Sequence, residues 1–385
     1  MFEKLSYLGL QEYWWAIIAL LGGILVFMLF VQGGQTLLYR LGKNETEVKM
    51  LVNSLGRKWD LTFTTLVVFG GASFASFPLF YSTSFGGAYW VWMIILFAFI
   101  IQAVSYEYRS KLNNFLGKKT YDAFLFINGL VATIFLGTAV ATFFTGSFFH
   151  VNSMHHSFWD TSWGGLGLAL DFARYATYVN LSLGLAVFFL SRTLASMYFI
   201  NNIDDKVVAE RSHQAIIKNA IPFLVFFLFF LFNVIFMKGF NYDPKTMVVN
   251  LESFKYWHNL MDMPVVFILL LLGIVLVLWG IFRGYFFFEK CGRKAIWFTG
   301  IGTVITVFSL FLTIGYNHTS FYPSVTSLQS SLSIQNASSS KYTLIAMSYV
   351  SLMVPFVLAY IWYAWSAMNK KRITRKEMEE DPHTY

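Results

Sequence analysis

Residues 61–106 read LTFTTLVVFGGASFASFPLFYSTSFGGAYWVWMIILFAFIIQAVSY, a run without one charged side chain. A helix that crosses a membrane takes about 20 apolar residues. The run is too long for one crossing and too apolar for a soluble domain. Ser82-Thr83-Ser84-Phe85-Gly86-Gly87 divides it, which predicts two helices, 61–81 and 86–106. In lipid every backbone polar group must be satisfied internally, so only helices and closed barrels span. The apolar runs are continuous rather than alternating, and that selects helices.

Working outward, the same reading predicts further spans at 13–39, 123–149, 175–203, 219–237, 263–282, 295–317 and 342–369. The chain is thus expected to be all-α, a single integral membrane domain over 1–385 with about nine transmembrane helices packed as bundles. Composition agrees: 57% of the 385 residues are hydrophobic, 20% aromatic and 12% charged, against roughly 25% charged in soluble proteins. The first apolar run follows Glu3, Lys4 and Glu12 and is too long for the core of a signal peptide, so it reads as a retained helix. The lone cysteine, Cys291, has no internal disulfide partner.

The basic residues set an expected orientation. Segments 40–58, 109–119, 206–218, 283–294 and 370–376 hold 21 Lys and Arg, while the alternate segments hold six. Basic loops stay in the cytoplasm, so the N-terminus is expected outside and the C-terminus inside; an odd number of spans agrees. The net charge of +8 follows the membrane rather than a nucleic acid. Three longer segments, 146–172, 238–261 and 316–340, are expected outside. No soluble domain and no internal repeat is visible.

Polar groups at membrane depth are costly and mark functional candidates. Gln32 and Gln35 lie three apart on one face of the first helix, in its cytoplasmic third, flanking Gly33 and Gly34. Asp60, after Trp59, opens the second helix. Glu107 and Arg109 end the third, and Asp122 opens the fourth. These groups are candidates for a proton path from the cytoplasm. Each also has a structural reading: Asp60 and Asp122 as carboxylates at helix N-termini, Glu107 with Arg109 as an interfacial pair. Arg192 is the most internal charge, with a partner in the bundle, a partner subunit, or snorkelling as its alternatives. Pro78, Pro264 and Pro355 predict kinks. The seven histidines (150, 155, 156, 213, 258, 318 and 383) all avoid mid-span positions, so a bis-histidine heme is not expected in this chain. His150, His155 and His156 with Asp160 permit a metal reading or an interfacial polar loop, and no metal site is assigned.

The order of motifs carries a resemblance. Trp59-Asp60 precedes Gly70-Gly71-Ala72-Ser73-Phe74-Ala75-Ser76-Phe77-Pro78 and Tyr81. Tyr106-Glu107-Tyr108-Arg109-Ser110-Lys111 and Tyr121-Asp122 follow. Tyr322-Pro323, Ser331-Leu332-Ser333-Ile334, Asn336-Ala337-Ser338-Ser339 and Thr343-Leu344 complete the series. In register, these resemble the signatures of cytochrome bd-type quinol oxidase subunit II. One departure stands in the first helix, where the family's Asp-Gly-Phe-Asp motif reads Gln32-Gly33-Gly34-Gln35. An amide can hold a water but does not titrate.

The resemblance implies a multi-pass protein of the bacterial cytoplasmic membrane, paired with subunit I of similar fold and, in some complexes, small single-helix subunits. It implies a complex that oxidises quinol and reduces oxygen to water. The b and d hemes and the main quinol site are implied in subunit I. This chain is then a structural partner contributing to proton delivery and oxygen access, not catalytic alone, among lipid and quinone and without nucleic acid. A polytopic transporter or channel is the alternative, but it would predict inverted repeats and broken helices. A membrane metalloenzyme built on the histidine loop is a third reading.

Overall fold

The computed structural model describes residues 2–111, 114–161, 163–287 and 292–380. Lys290, Cys291 and His383 lie outside them. Helix α1 (Tyr7–Gln35) starts where the Ser6 hydroxyl accepts the Gly9 N–H, capping an orphan donor of the first turn. Helix α2 (Trp59–Ser76) stops at Phe77 (φ −133°, ψ 68°), because the proline that follows disfavours the helical conformation there. A short helix, Pro78–Tyr81, and a π-helical turn, Ser82–Gly86, then lead to α3 (Tyr89–Tyr108). The break expected at 82–87 thus begins earlier, at Phe77, and continues through the π-helical turn at Ser82–Gly86.

The remaining long helices are α4 (Lys118–Thr145), α5 (Tyr175–Asn202), α6 (Lys206–Phe236), α7 (Pro264–Phe286) and α8 (Ala295–Gly315). Helices α9 (Lys341–Ser351) and α10 (Val354–Met368) meet at 41°, with Pro355 in the first turn of α10, where it fits without breaking that helix. Among the described residues, seven helices, α1 and α3–α8, are long and apolar enough to cross a membrane, and α9–α10 counts as an eighth if it is one bent span. The remaining expected span, 61–81, falls on α2, whose first turn carries Asp60. Helices α4 and α6 begin before their expected spans, at Lys118 and Lys206. Lysines at a helix start can snorkel to the membrane surface, so helices run on past their apolar stretches.

Close backbone contacts hold the interior together. A Cβ on Gly33 would stand 2.2 Å from the Ser191 carbonyl carbon, and one on Gly129 would stand 2.3 Å from the Gln32 carbonyl oxygen. Glycine at these crossings lets α1 touch α5 and α4 directly, as small residues do in membrane bundles.

The two ends differ in how they close. At one end lie the chain start and the three segments expected outside. They form two antiparallel hairpins, β1 (Phe149–Val151) with β2 (Ser157–Trp159) and β3 (Lys238–Tyr242) with β4 (Val249–Ser253). The segments are knitted by backbone bonds: Ser147 N–H to Pro323 O (2.9 Å), Tyr242 N–H to His318 O (2.9 Å) and Ser320 N–H to Phe240 O (2.9 Å). The Gln11 amide reaches Ser338 Oγ at 2.6 Å. At the opposite end, ion pairs do the joining. Buried Glu47, in the short helix Glu45–Gly56, accepts from Arg211 (2.6 Å) and Arg375 (3.1 Å), and Arg375 also pairs with Asp205 (2.5 Å). Burial pushes the Glu47 carboxyl up, but the Lys43 N–H and the two guanidiniums outweigh it and hold it below the usual range.

Candidate functional site

Gln32 and Gln35 are fully buried in the C-terminal turns of α1. Gln32 Nε2 donates to Gln102 Oε1 on α3 at 3.2 Å. Gln35 Nε2 donates to the Tyr106 hydroxyl, one helical turn on, also at 3.2 Å. The Tyr106 ring stacks on Trp59 at 5.8 Å and 13°. These contacts join the start of α2, through α3, to the last turns of α1. Asn128 adds a further amide, fully buried on α4 beside the Gly129 crossing.

Much of this hydrogen-bonding capacity is unmet. Gln32 Oε1, Gln35 Oε1, Gln102 Nε2 and both polar atoms of the Asn128 side chain have no hydrogen-bond partner among the described residues. Leaving buried polar atoms unpaired costs on the order of 1–3 kcal/mol each, and ordered water is the usual remedy. The arrangement can therefore hold water between neutral groups. Nothing in the line itself carries charge. Sequence reasoning passed over Gln102 and Asn128, although both are amides inside apolar runs, the same signal that marked Gln32.

The charged candidates divide. Arg109 forms a two-point ion pair with Asp122, Nε to Oδ1 at 2.6 Å and Nη2 to Oδ2 at 3.2 Å, with both side chains nearly buried. Glu107 instead pairs with Lys111 at 3.1 Å on the exposed surface. The expected Glu107–Arg109 pair is thus replaced: the buried guanidinium takes the buried carboxylate, as a desolvated charge requires. Because α4 starts at Lys118, Asp122 lies beyond its first turn, and its partner is Arg109 rather than the helix terminus. Asp60 is in the first turn of α2, as expected, and is exposed. The structure therefore brings Gln32, Gln35 and Trp59 together, sets Arg109 and Asp122 a turn away along α3, and leaves Asp60 and Glu107 at the rim.

Lys58, just before this site, is also buried, with its Nζ 4.9 Å from the Trp365 ring centre and no hydrogen-bond partner among the described residues. Burial, helped by neighbouring Arg57, pulls its ammonium down to about 8. Arg192 donates Nε to Asn219 Oδ1 at 2.9 Å and lies over the Phe188 ring. Pro323 and Asn336 belong to the opposite end. The Pro323 carbonyl receives Ser147, and the Asn336 side chain braces a turn through the Ser333 N–H (2.8 Å) and Ser331 O (3.0 Å).

The histidine loop is the β1–β2 hairpin. His150 Nδ1 meets Asp160 at 2.8 Å, while exposed His155 and His156 occupy the turn. Among the described residues no three His, Cys, Asp or Glu side chains gather as a metal site. His213 sits near the start of α6, bound to the Tyr285 carbonyl at 2.7 Å, and the other described histidines are in segments 146–172, 238–261 and 316–340. An apolar cavity of about 80 Å³ lies deeper, lined by Leu25, Phe69, Phe80, Trp92, Phe143 and Phe311.

Comparison with known proteins supplies the context. Residues 10–368 match the sequence model for cytochrome bd terminal oxidase subunit II. Cytochrome bd-I ubiquinol oxidase subunit 2 of Escherichia coli (strain K12) is 26% identical over 409 residues, covering 99% of each chain. Cytochrome bd ubiquinol oxidase subunit 2 of Bacillus subtilis (strain 168) is 32% identical over 142 residues, 36% of this chain and 41% of that one. A chain in the structure of bd oxidase from Geobacillus thermodenitrificans superposes with a TM-score of 0.50 at 11% identity, covering 93% of this chain and 98% of that chain. That likeness concerns the fold. Nothing among these matches favours a transporter.

Proposed function

Because the chain belongs to the cytochrome bd terminal oxidase subunit II family, we propose that it is the second membrane subunit of a quinol oxidase in a bacterial cytoplasmic membrane. The complex takes electrons from quinol and reduces oxygen to water. The b and d hemes and the main quinol site belong to subunit I, and this chain supports that partner. The observation that carries this reading is α10: of its fifteen residues only Trp365 is buried. A membrane helix with so little of its own chain around it fits a place against a second subunit.

Nine spans, with α2 as the ninth, an outside N-terminus and a cytoplasmic C-terminus belong to the same proposal. The basic segments support the orientation, since those carrying most Lys and Arg meet at the end where Arg211, Arg375 and Glu47 join. With that end inward, Asp60 faces the cytoplasmic side next to the Trp59–Tyr106 stack, and it is the titratable group positioned to collect protons. Waters held by Gln35, Gln32, Gln102 and Asn128 extend the path inward without titrating. The apolar cavity suits the passage of oxygen, which needs no polar contact.

The test is purification of the tagged chain from its own membrane. It should bring down a heme-bearing partner, and the preparation should consume oxygen with quinol. Recovery of a heme-free, active homo-oligomer would overturn the reading.

A further inference from the structure

We propose that small apolar molecules, oxygen above all, cross this chain at mid-membrane through two adjoining cavities that link the cleft between α2 and α3 to the lipid-facing surface of α6 and α7. The inference rests on the oxidase reading above, and it extends the cavity described there into a route with two mouths.

The spaces lie in a row. The cavity of about 80 Å³ is the central one. On one side a second cavity, of about 60 Å³, reaches Phe223, Phe227, Ile274 and Leu278 on α6 and α7. Val26, Leu183, Val187, Val307 and Leu310 stand in the walls of both, so these aliphatic side chains form the partition between them. On the other side an open cleft of about 470 Å³ runs between α2 and α3, over Gly70 and Gly71. It shares Leu66, Phe85 and Trp92 with the central cavity. Exposed Leu278 marks the mouth on α7, and exposed Val67 and Leu96 mark the mouth of the cleft. The α2 wall is bonded to the segment entering α9, Ser339 N–H to Ser76 O at 2.8 Å, and in the reading above that element meets subunit I.

Position and chemistry select the passenger. Gly22, Phe69, Val187, Ile274 and Val307 fall near the middle of α1, α2, α5, α7 and α8, which places the row near the centre of the bilayer. Among the described residues, Ser84 brings the one hydroxyl to the central wall. In the second cavity the Thr303 and Thr306 hydroxyls donate to carbonyls of their own helix at 2.8 Å. A water needs two to four polar partners, so cavities of this kind stay dry and take up apolar guests such as xenon. Packed interiors hold few voids larger than a water, and empty core volume lowers stability. Oxygen carries no charge or dipole and dissolves better in hydrocarbon than in water, so the row lies where oxygen concentrates.

The partition on the cleft side is aromatic. Phe85 and Trp92 stack at 3.9 Å and 15°, and Tyr81 stacks on Phe85 at 4.8 Å and 15°. Phe85 is carried by the π-helical turn Ser82–Gly86, a rare geometry that is frequent at functional sites. The β1–β2 hairpin grips that turn. Trp159 Nε1 donates to the Thr83 carbonyl at 2.9 Å, and the Thr83 and Ser157 hydroxyls are bonded. With the backbone held in this way, rotation of the Phe85 side chain is the motion that opens the cleft to the cavity.

The test uses the intact complex. Xenon is introduced under pressure as the probe and located in the structure, and the KM for oxygen is measured with quinol in excess. Xenon should occupy both cavities of the unaltered complex. Val307→Phe, which fills the partition between them, should displace xenon and raise the KM for oxygen several-fold, well beyond any change in kcat. If Val307→Phe fails to assemble, Ala139→Leu, which fills the central cavity, is read in the same way. Xenon in neither cavity overturns the proposal. So does an unchanged KM in a variant that has lost its xenon, or a fall in kcat alone. Normal quinol-driven turnover with such a result removes this inference alone. A heme-free preparation that still takes up xenon removes only the oxidase reading.

Discussion

Arg109 and Asp122 face each other across the end of α3 and the start of α4 with almost no solvent around them. Such a pair adds little net stability while intact, because desolvation offsets attraction, but losing one partner leaves a bare buried charge. Asp122→Asn is therefore expected to destabilise the protein by about 3–5 kcal/mol, seen as a lower unfolding temperature and reduced yield. The double change Arg109→Met with Asp122→Leu should recover much of the loss. Asp60 is the contrasting case, exposed and outside the neutral amide line. Asp60→Asn is expected to slow quinol-driven oxygen reduction several-fold while heme content and assembly stay normal. An unchanged rate would leave Asp60 as a carboxylate serving its helix terminus. The sequence reveals these polar groups, since each interrupts an apolar run. It does not reveal their partners, because Arg109 has carboxylates both two positions before it and thirteen after it. Only packing decides that Glu107 turns outward to Lys111.

At the scale of the element, α10 stands apart. Pro355 sits in its first turn, and the helix leaves α9 at an angle with nearly every side chain outward. Both lipid and a partner helix accept such a surface, and a bulky apolar substitution separates them. Ala359→Trp is expected to cut recovery of the heme-bearing partner several-fold while the amount of this chain in the membrane is unchanged. Val275→Trp, on an exposed stretch of α7, is the control that should leave partner recovery intact. Equal recovery in both variants would place α10 against lipid. Helices were legible in the sequence because about 20 apolar residues in a row have few alternatives. Their starts were less so: α4 and α6 extend through lysines that hydropathy assigns to loops. The two hairpins were not legible at all, since β1–β2 and β3–β4 are short and their segments close against residues far along the chain.

For the molecule as a whole, the division of the chain between two ends was readable from charge alone. Segments rich in Lys and Arg gather at one end, and the polar, serine-rich segments gather at the other. What charge could not disclose is how each end is fastened. One is closed mainly by peptide groups and neutral side chains, such as Ser147 on Pro323 and Gln329 Nε2 on the Val249 carbonyl at 3.0 Å. The other depends on ionised side chains, with Glu47 and Asp205 holding Arg211 and Arg375. Both carboxyls are held below their ordinary range. A carboxylate so lowered contributes stability above its unfolded pKa of roughly 4, and that contribution fades as pH falls further.

This asymmetry bears on where a bacterium can live. Its surroundings may turn sour or salty, while its interior is kept near neutrality. With the basic end inward, the face bathed by the environment is laced mainly by bonds between neutral groups, and the electrostatic clasp of Glu47 and Asp205 sits on the buffered side. The same polypeptide placed the other way round would turn that clasp toward the outside, where acid can reach its carboxylates.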